Sequence, residues 1–361
     1  MSSEENRARA PSGIAARKGD HLDIVLSASQ SGARLPTGFE AVQFEHCALP
    51  ELDFDKIDLS QDFLGRTLAA PLLISSMTGG PERAGRINHH LAEAAETLKI
   101  AFAVGSQRIA IEGHASCGLG KSLRRTAPSV PILANIGAAQ LVAGYGVPEA
   151  LRAIEMIEAD GLIIHLNPLQ EAVQTGGDRR WRGVLEAIAA LRRELPVPLI
   201  VKEVGAGISG RVARRLTEIG VSIIDVAGAG GTSWAAVEAE RAPDERRRDI
   251  AARFSDWGIP TAAAIREVRE FCPDAFIIGS GGVRDGLDAA KALRLGADLV
   301  GQAASGLASA EQSAEAAIDH FSAVIEELRI ACFCTGSKDL AALRQAPLLP
   351  SPASAAAPSL P

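Results

Sequence analysis

The chain has 361 residues, 47% of them hydrophobic and 4% aromatic, with 37 Lys and Arg against 44 Asp and Glu for a net charge of −7. This supports a large aliphatic core, and without a strongly basic run nucleic acid is not an expected partner. No run of about 18 uninterrupted apolar residues occurs, so no membrane span is expected, and the polar start, Met1 to Ala10, lacks the apolar stretch of a secretory signal.

In chain order, residues 1–16 read as a flexible polar arm. Residues 17–70 precede the first strand and should include a helix carrying Arg17, Lys18 and His21. From 71 to 330, eight short apolar runs recur: at Ile74, Ala103-Val104, Leu133, Ile163-Ile164, Ile200-Val201, Asp225-Val226, Ile277-Ile278 and Leu299-Val300. Helix-like segments at 149–160, 183–195, 210–220 and 286–296 each precede such a run. Continuous Val/Ile/Leu runs alternating with helices predict buried parallel strands, here an α/β chain folded as a (β/α)8 TIM barrel with an N-terminal extension. The longest connection, 232–257, is rich in Glu, Arg and Asp and reads as a long charged loop, a candidate lid or interface element. Residues 17–345 then form one domain, and the Ala/Pro-rich stretch 346–361 is expected to be disordered. The five cysteines, Cys47, Cys117, Cys272, Cys332 and Cys334, are odd in number and mostly scattered, and Cys332-Phe333-Cys334 is too tight for a usual zinc knuckle. They read as reduced thiols, and a cytoplasmic location is expected.

Nearly every apolar run ends in a residue able to do chemistry, and in this barrel type the active site is built where the strands end. Ser280-Gly281-Gly282-Val283-Arg284-Asp285 follows a strand and opens a helix. Its glycines permit close backbone approach, and free amides at a helix start attract an anion. With Gly301-Gln302-Ala303-Ala304 it forms a candidate phosphate cradle after strands seven and eight; the alternative is a purely structural turn. Lys202 ends Pro198-Leu199-Ile200-Val201 and points into the barrel mouth, to meet a flavin's anionic edge, to form a Schiff base, or to pair with Glu203 or Asp225. His165-Leu166-Asn167-Pro168-Leu169-Gln170-Glu171 crowds a histidine, amides and a carboxylate at the end of strand four. Glu171 is a single hard oxygen ligand, which suits Mg²⁺ borrowing oxygens from a substrate phosphate. The bland reading is that Glu171 caps the next helix and His165 is a satisfied core residue. Arg17-Lys18-Gly19-Asp20-His21 and Arg108 add cations that would neutralise a diphosphate. His46, His89, His90, His114 and His320 read as surface or structural.

Over residues 17 to 340 the chain resembles the type 2, FMN-dependent isopentenyl-diphosphate isomerases. The most specific stretches are Asn167-Pro168-Leu169-Gln170-Glu171 and Arg17-Lys18-Gly19-Asp20-His21. Ser76-Met77-Thr78-Gly79-Gly80, Val104-Gly105-Ser106-Gln107-Arg108, Asn135-Ile136-Gly137, Val201-Lys202-Glu203-Val204-Gly205, 225–232 with Trp234, 256–261 and Ser280-Gly281-Gly282-Val283-Arg284 also match. Asp20 stands where glutamate is usual in that family, and the tail lies outside its pattern.

The resemblance implies that Met77, Thr78, Gly79, Ser106, Asn135, Lys202, Thr232, Gly282, Val283, Arg284, Ala303 and Ala304 contact FMN. It implies that Arg17, Lys18, His21, Arg108, His165, Asn167 and Gln170 face isopentenyl diphosphate or its product dimethylallyl diphosphate, with Glu171 on Mg²⁺. It further implies flavin reduction by NADPH, a homo-oligomer of four or eight chains, and redox-neutral movement of a double bond with reduced FMN as acid and base. The rival readings are an FMN-dependent 2-hydroxy acid oxidase or dehydrogenase, which would need a histidine–arginine pair for a carboxylate, and a non-catalytic flavin-binding protein.

Overall fold

The computed structural model describes residues 13–27, 35–77, 82–113 and 118–350, with backbone only for 13–18 and 82. Eight parallel strands close into a barrel: β1 (Leu72–Ile74), β2 (Ala101–Ala103), β3 (Ile132–Gly137), β4 (Gly161–Leu166), β5 (Leu199–Glu203), β6 (Ile223–Asp225), β7 (Phe276–Ser280) and β8 (Leu299–Gln302). Each pairs with its sequence neighbours, and β8 pairs β1 through Val300↔Leu72 and Gln302↔Ile74. All eight predicted runs lie within these strands or one residue beyond their ends. They are buried on both faces, which is why they are apolar throughout rather than alternating.

The barrel interior is aliphatic. Leu73, Leu133, Ile163, Ile200, Ile223, Ile278 and Leu299 fill it around Ala101 and Ala103. An antiparallel hairpin, Gln61–Phe63 with Arg66–Leu68, supplies Phe63 and Leu68 to the same cluster, and Phe63 stacks on Phe276 with centroids 5.2 Å apart. Phe276 starts β7, so the hairpin plugs the N-terminal end of the barrel and leaves the opposite end open for a site.

The predicted helices recur as Val147–Ile157, Val184–Glu194, Gly210–Glu218 and Gly286–Arg294. The first stops short of Asp160 because Glu158 turns left-handed at φ 51°, which frees the Asp160 carboxylate for Ile132 N (2.9 Å), Arg124 and Arg66.

Three expectations are corrected. Segment 232–257 is not a loop: it folds into helices Trp234–Glu240 and Glu245–Ala252, capped by Ser233 and Asp244, because Ala235, Val237, Ala239 and Ala251 give the charged stretch a buried side. The first helix begins at Gly13, inside the segment assigned to the arm. Residues 346–350 are structured: Ala346 is buried, the Glu45 amide donates to the Pro347 carbonyl at 3.0 Å, and Phe44 bridges Leu348. The rest of the tail, 351–361, lies outside the described residues, as do His114 and Cys117. Cys47, Cys272, Cys332 and Cys334 are free, and no described helix is long and apolar enough to cross a membrane.

Candidate active site

A cavity of about 770 Å³ opens at the C-terminal mouth of the barrel. Sixteen of the twenty sequence-predicted site residues line it: His21, Met77, Ser106, Arg108, Asn135, His165, Asn167, Gln170, Glu171, Lys202, Thr232, Gly282, Val283, Arg284, Ala303 and Ala304. Thr78 and Gly79 lie outside the described residues. Arg17 and Lys18 fall in helix Gly13–Leu26, with their side chains outside the description.

One end of the cavity is made of backbone. Gly281 (φ 107°) and Gly282 (φ 68°) carry the chain through conformations that favour glycine. A Cβ on Gly281 would lie 2.2 Å from the Gly228 carbonyl oxygen, so the loops after β6 and β7 touch main chain to main chain. Thr261 Oγ1 locks this contact by donating to the Gly281 carbonyl at 2.6 Å. Ser305 Oγ donates to the Val283 carbonyl at 3.3 Å and ties in the loop after β8. Helix Ala304–Gln312 then starts from Ala303 with no side-chain cap, leaving its first amides for an anion. Arg284, by contrast, is turned outward: its side chain is 62% exposed and paired with Asp288 at 2.8 Å. Its place in the cavity wall is therefore mainly one of position after the glycine turn.

Further in, the wall is polar and incompletely satisfied. Ser75 Oγ and Ser76 Oγ are buried without partners. Lys202 is buried, and its Nζ donates to the Glu203 carbonyl at 2.7 Å. Glu203 is not its ion-pair partner: one carboxylate oxygen accepts the amides of Val204 (2.6 Å), Gly205 (2.7 Å) and Ala206 (2.5 Å). Burial pushes the Glu203 carboxyl up, against those amides. Asn135 is fixed from behind: its amide N–H donates to Gln107 Oε1 at 2.9 Å, and Nδ2 donates to the Val104 carbonyl at 3.2 Å. Buried polar atoms without partners are costly, so these groups fit a large polar ligand with a phosphate at the glycine end. FMN meets that description.

The wall between Asn135 and Lys202, across the mouth from the glycine turns, comes from the end of β4 and its following helix. His165 Nδ1 lies 2.7 Å from Asn135 Oδ1, which makes that nitrogen the donor and sets the ring's tautomer. Asn167 Nδ2 donates to Gln170 Oε1 and to Glu171 Oε1, both at 3.1 Å. Glu171 does not cap its helix. It is buried, and its Oε2 accepts the Asp178 amide at 2.6 Å. Asn167 Oδ1 is buried without a partner beside it. No group of three His, Cys, Asp or Glu able to hold a metal exists among the described residues. Glu171 therefore suits only a cation that takes most of its oxygens from ligand and water, as Mg²⁺ does. Arg108 reaches the rim already paired, to Glu112 at 2.8 Å and to Asp178 at 3.3 Å.

One hub escaped the sequence reading. Glu238, 4% exposed, holds His21 Nε2 at 3.0 Å, Gln170 Nε2 at 3.2 Å and Arg241 at 3.0 Å. It thereby joins the N-terminal helix to the wall after β4. Burial opposes its charge, yet the His21 and Gln170 hydrogen bonds and the His21 and Arg241 charges hold its carboxyl below the usual range. Trp234, one turn earlier, meets the His21 ring edge-on at 5.1 Å. The only local signal was four-residue spacing, Trp234 to Glu238, inside a stretch read as loop.

The FMN-dependent dehydrogenase family matches residues 164–349. The chain is 65% identical over 336 residues to an isopentenyl-diphosphate delta-isomerase of Stutzerimonas stutzeri, covering 93% of this chain and 97% of that one. It is 63% identical over 330 residues to the enzyme of that name from Pseudescherichia vulneris, covering 91% and 95%. Among solved structures, a mutant flavocytochrome b2 with pyruvate bound shares the fold at a TM-score of 0.67 and 16% identity, over 94% of this chain and 85% of that one. With these relatives, the chain belongs to the isopentenyl-diphosphate delta-isomerases of the type 2, FMN-dependent kind.

Proposed function

We propose that this chain converts isopentenyl diphosphate to dimethylallyl diphosphate, with reduced FMN bound across the barrel mouth. The observation that carries the reading is one cavity with two kinds of wall: a glycine and amide cradle after β7 and β8, and, from the ends of β4 and β5, His165, Asn167, Gln170, Glu171 and Lys202. Among the described residues that line the cavity Glu171 is the one acidic side chain, and it is assigned to the metal, so acid–base chemistry at carbon falls to the cofactor. Bound reduced FMN supplies a proton donor and acceptor beside the alkene, and an electron-rich face that shelters a tertiary cation.

The side chains bind and orient. The amides around Gly282, Val283, Ala303 and Ala304 hold the cofactor phosphate, Lys202 meets the pyrimidine edge, and Met77, Thr78, Gly79, Ser106, Asn135 and Thr232 line the ring. Arg284 contributes through its main chain. Arg17, Lys18, His21 and Arg108 neutralise the substrate diphosphate, with Mg²⁺ on Glu171. For Arg108 this means giving up Asp178, the longer of its two contacts. Gln170, tethered by Asn167 and Glu238, orients the alkene end, and His165 and Asn167 fix the nearer phosphate. NADPH serves as flavin reductant, and the working form is a cytoplasmic homo-oligomer of four or eight chains.

The test is anaerobic turnover by purified holoprotein with Mg²⁺ and isopentenyl diphosphate. After reduction by NADPH or dithionite, dimethylallyl diphosphate accumulates, and the oxidised protein is inert. Product from flavin-free protein rejects the reading. Oxidation of lactate or glycolate instead supports the 2-hydroxy acid oxidase alternative.

A further inference from the structure

Lys202, near the end of β5, and Asp225, ending β6, are register partners across the parallel pair. Lys202 lines the cavity, whereas Asp225 is fully buried and lies behind the wall. One Asp225 oxygen is held by cavity-lining neighbours: Oδ1 accepts from Ser280 Oγ at 2.5 Å and from the Ala227 amide at 3.3 Å. Ala227 adopts φ 36°, rare for a residue with a side chain, where the chain leaves β6. The second oxygen, Oδ2, is buried with no partner. On the adjacent strand, Lys202 spends one of its three N–H donors on a carbonyl and has no carboxylate within ion-pair distance among the described residues. A buried lysine at the wall thus stands one strand from a buried acid that has no ion-pair partner among the described residues.

We propose that Asp225 is a positioning residue that opposes the Lys202 charge and so limits how strongly the site favours the anionic, reduced flavin. The inference rests on the FMN reading above and goes beyond it, since Asp225 is not among the residues that line the cavity. Buried charges interact through a medium less polarisable than water, so a carboxylate one strand away acts on the same cofactor edge as the lysine. Burial raises the Asp225 carboxyl, and the Lys202 charge is the main influence pulling it back.

The experiment is Asp225→Asn in the holoprotein. The amide keeps an oxygen for Ser280 and Ala227 and removes the charge. The flavin midpoint potential, measured by dye-coupled anaerobic titration, is expected to rise. The ratio of reduced to oxidised flavin at a fixed potential increases at least tenfold, about 30 mV for a two-electron couple. An unchanged or lower midpoint in folded, flavin-bound protein overturns the assignment. If Asp225→Asn does not hold flavin, Ser280→Ala provides the second reading. Removing a donor from the carboxylate weakens its charged form, so a smaller rise supports the assignment and no rise overturns it. Wild-type protein unable to bind FMN would instead remove the underlying functional reading, a result distinct from either variant's.

Discussion

Glu171→Gln removes one charge while keeping the side chain's shape. In the folded chain each carboxylate oxygen has one protein donor, Asn167 Nδ2 at 3.1 Å on Oε1 and the Asp178 amide at 2.6 Å on Oε2. Glutamine has one oxygen. The shorter Asp178 bond keeps it, and the new NH₂ then faces the Asn167 NH₂. A buried donor left without an acceptor costs about 1–3 kcal/mol. An Asn167 flip aims its unpartnered Oδ1 at the new NH₂ but gives up the Nδ2 bond to Gln170 Oε1, so one hydrogen bond is lost either way. The expected folding cost is therefore about 1–3 kcal/mol. On the proposed Mg²⁺ role, the metal loses the one carboxylate that lines the cavity among the described residues, so its half-saturating concentration should rise about tenfold or more, equivalent to at least ~1.4 kcal/mol. The assay combines Mg²⁺-dependent turnover of the reduced holoprotein, its visible flavin spectrum and a urea melt. Flavin stays bound, the melt shifts by an amount that fits one lost hydrogen bond, and the metal curve moves about tenfold or more. An unmoved metal curve with full activity refutes Glu171 as the ligand.

Gly281→Ala places a Cβ 2.2 Å from the Gly228 oxygen at φ 107°. Backbone strain of about 1–3 kcal/mol and overpacking of similar size predict loss of FMN on gel filtration and a lower urea midpoint. A flavin-replete variant of wild-type stability contradicts the close-packed cradle. The Glu238 carboxyl lies below its ordinary 4.5, so it stabilises the fold above pH 4.5, and that contribution is lost as the pH falls through the lowered value. Glu238→Gln should flatten the acid limb of stability from about pH 5 downward, read from urea midpoints; an acid limb like that of wild type argues against the His21–Glu238–Gln170 link.

The strand ends were legible because barrel topology turns sequence into position. A run such as Leu199-Ile200-Val201 is apolar because both its faces are buried, and the residue after it must emerge at the mouth, where Lys202 lies. The glycine turn at 281–282 was legible for a related reason: the positive φ values and the contact with Gly228 exclude side chains. Pairings across sequence were not legible. Glu238 meets His21, 217 residues away, and nothing in the charged stretch 232–257 distinguishes it from its exposed neighbour Glu240 until Val237 and Ala239 are seen packed inward. Arg108 looked like an available cation: its shorter contact, to Glu112, is a four-residue helical spacing that was passed over, and its second partner, Asp178, lies in a loop 70 residues on. The order at 346–350 depends on Phe44 and Glu45, contacts that low-complexity composition does not encode.

The most direct test is a count of product molecules per reduced flavin. Holoprotein reduced once with stoichiometric dithionite under argon, then given Mg²⁺ and excess isopentenyl diphosphate, should form many dimethylallyl diphosphates per flavin and remain spectrally reduced. One product or fewer per flavin, with the oxidised spectrum returning as product forms, would contradict the redox-neutral account.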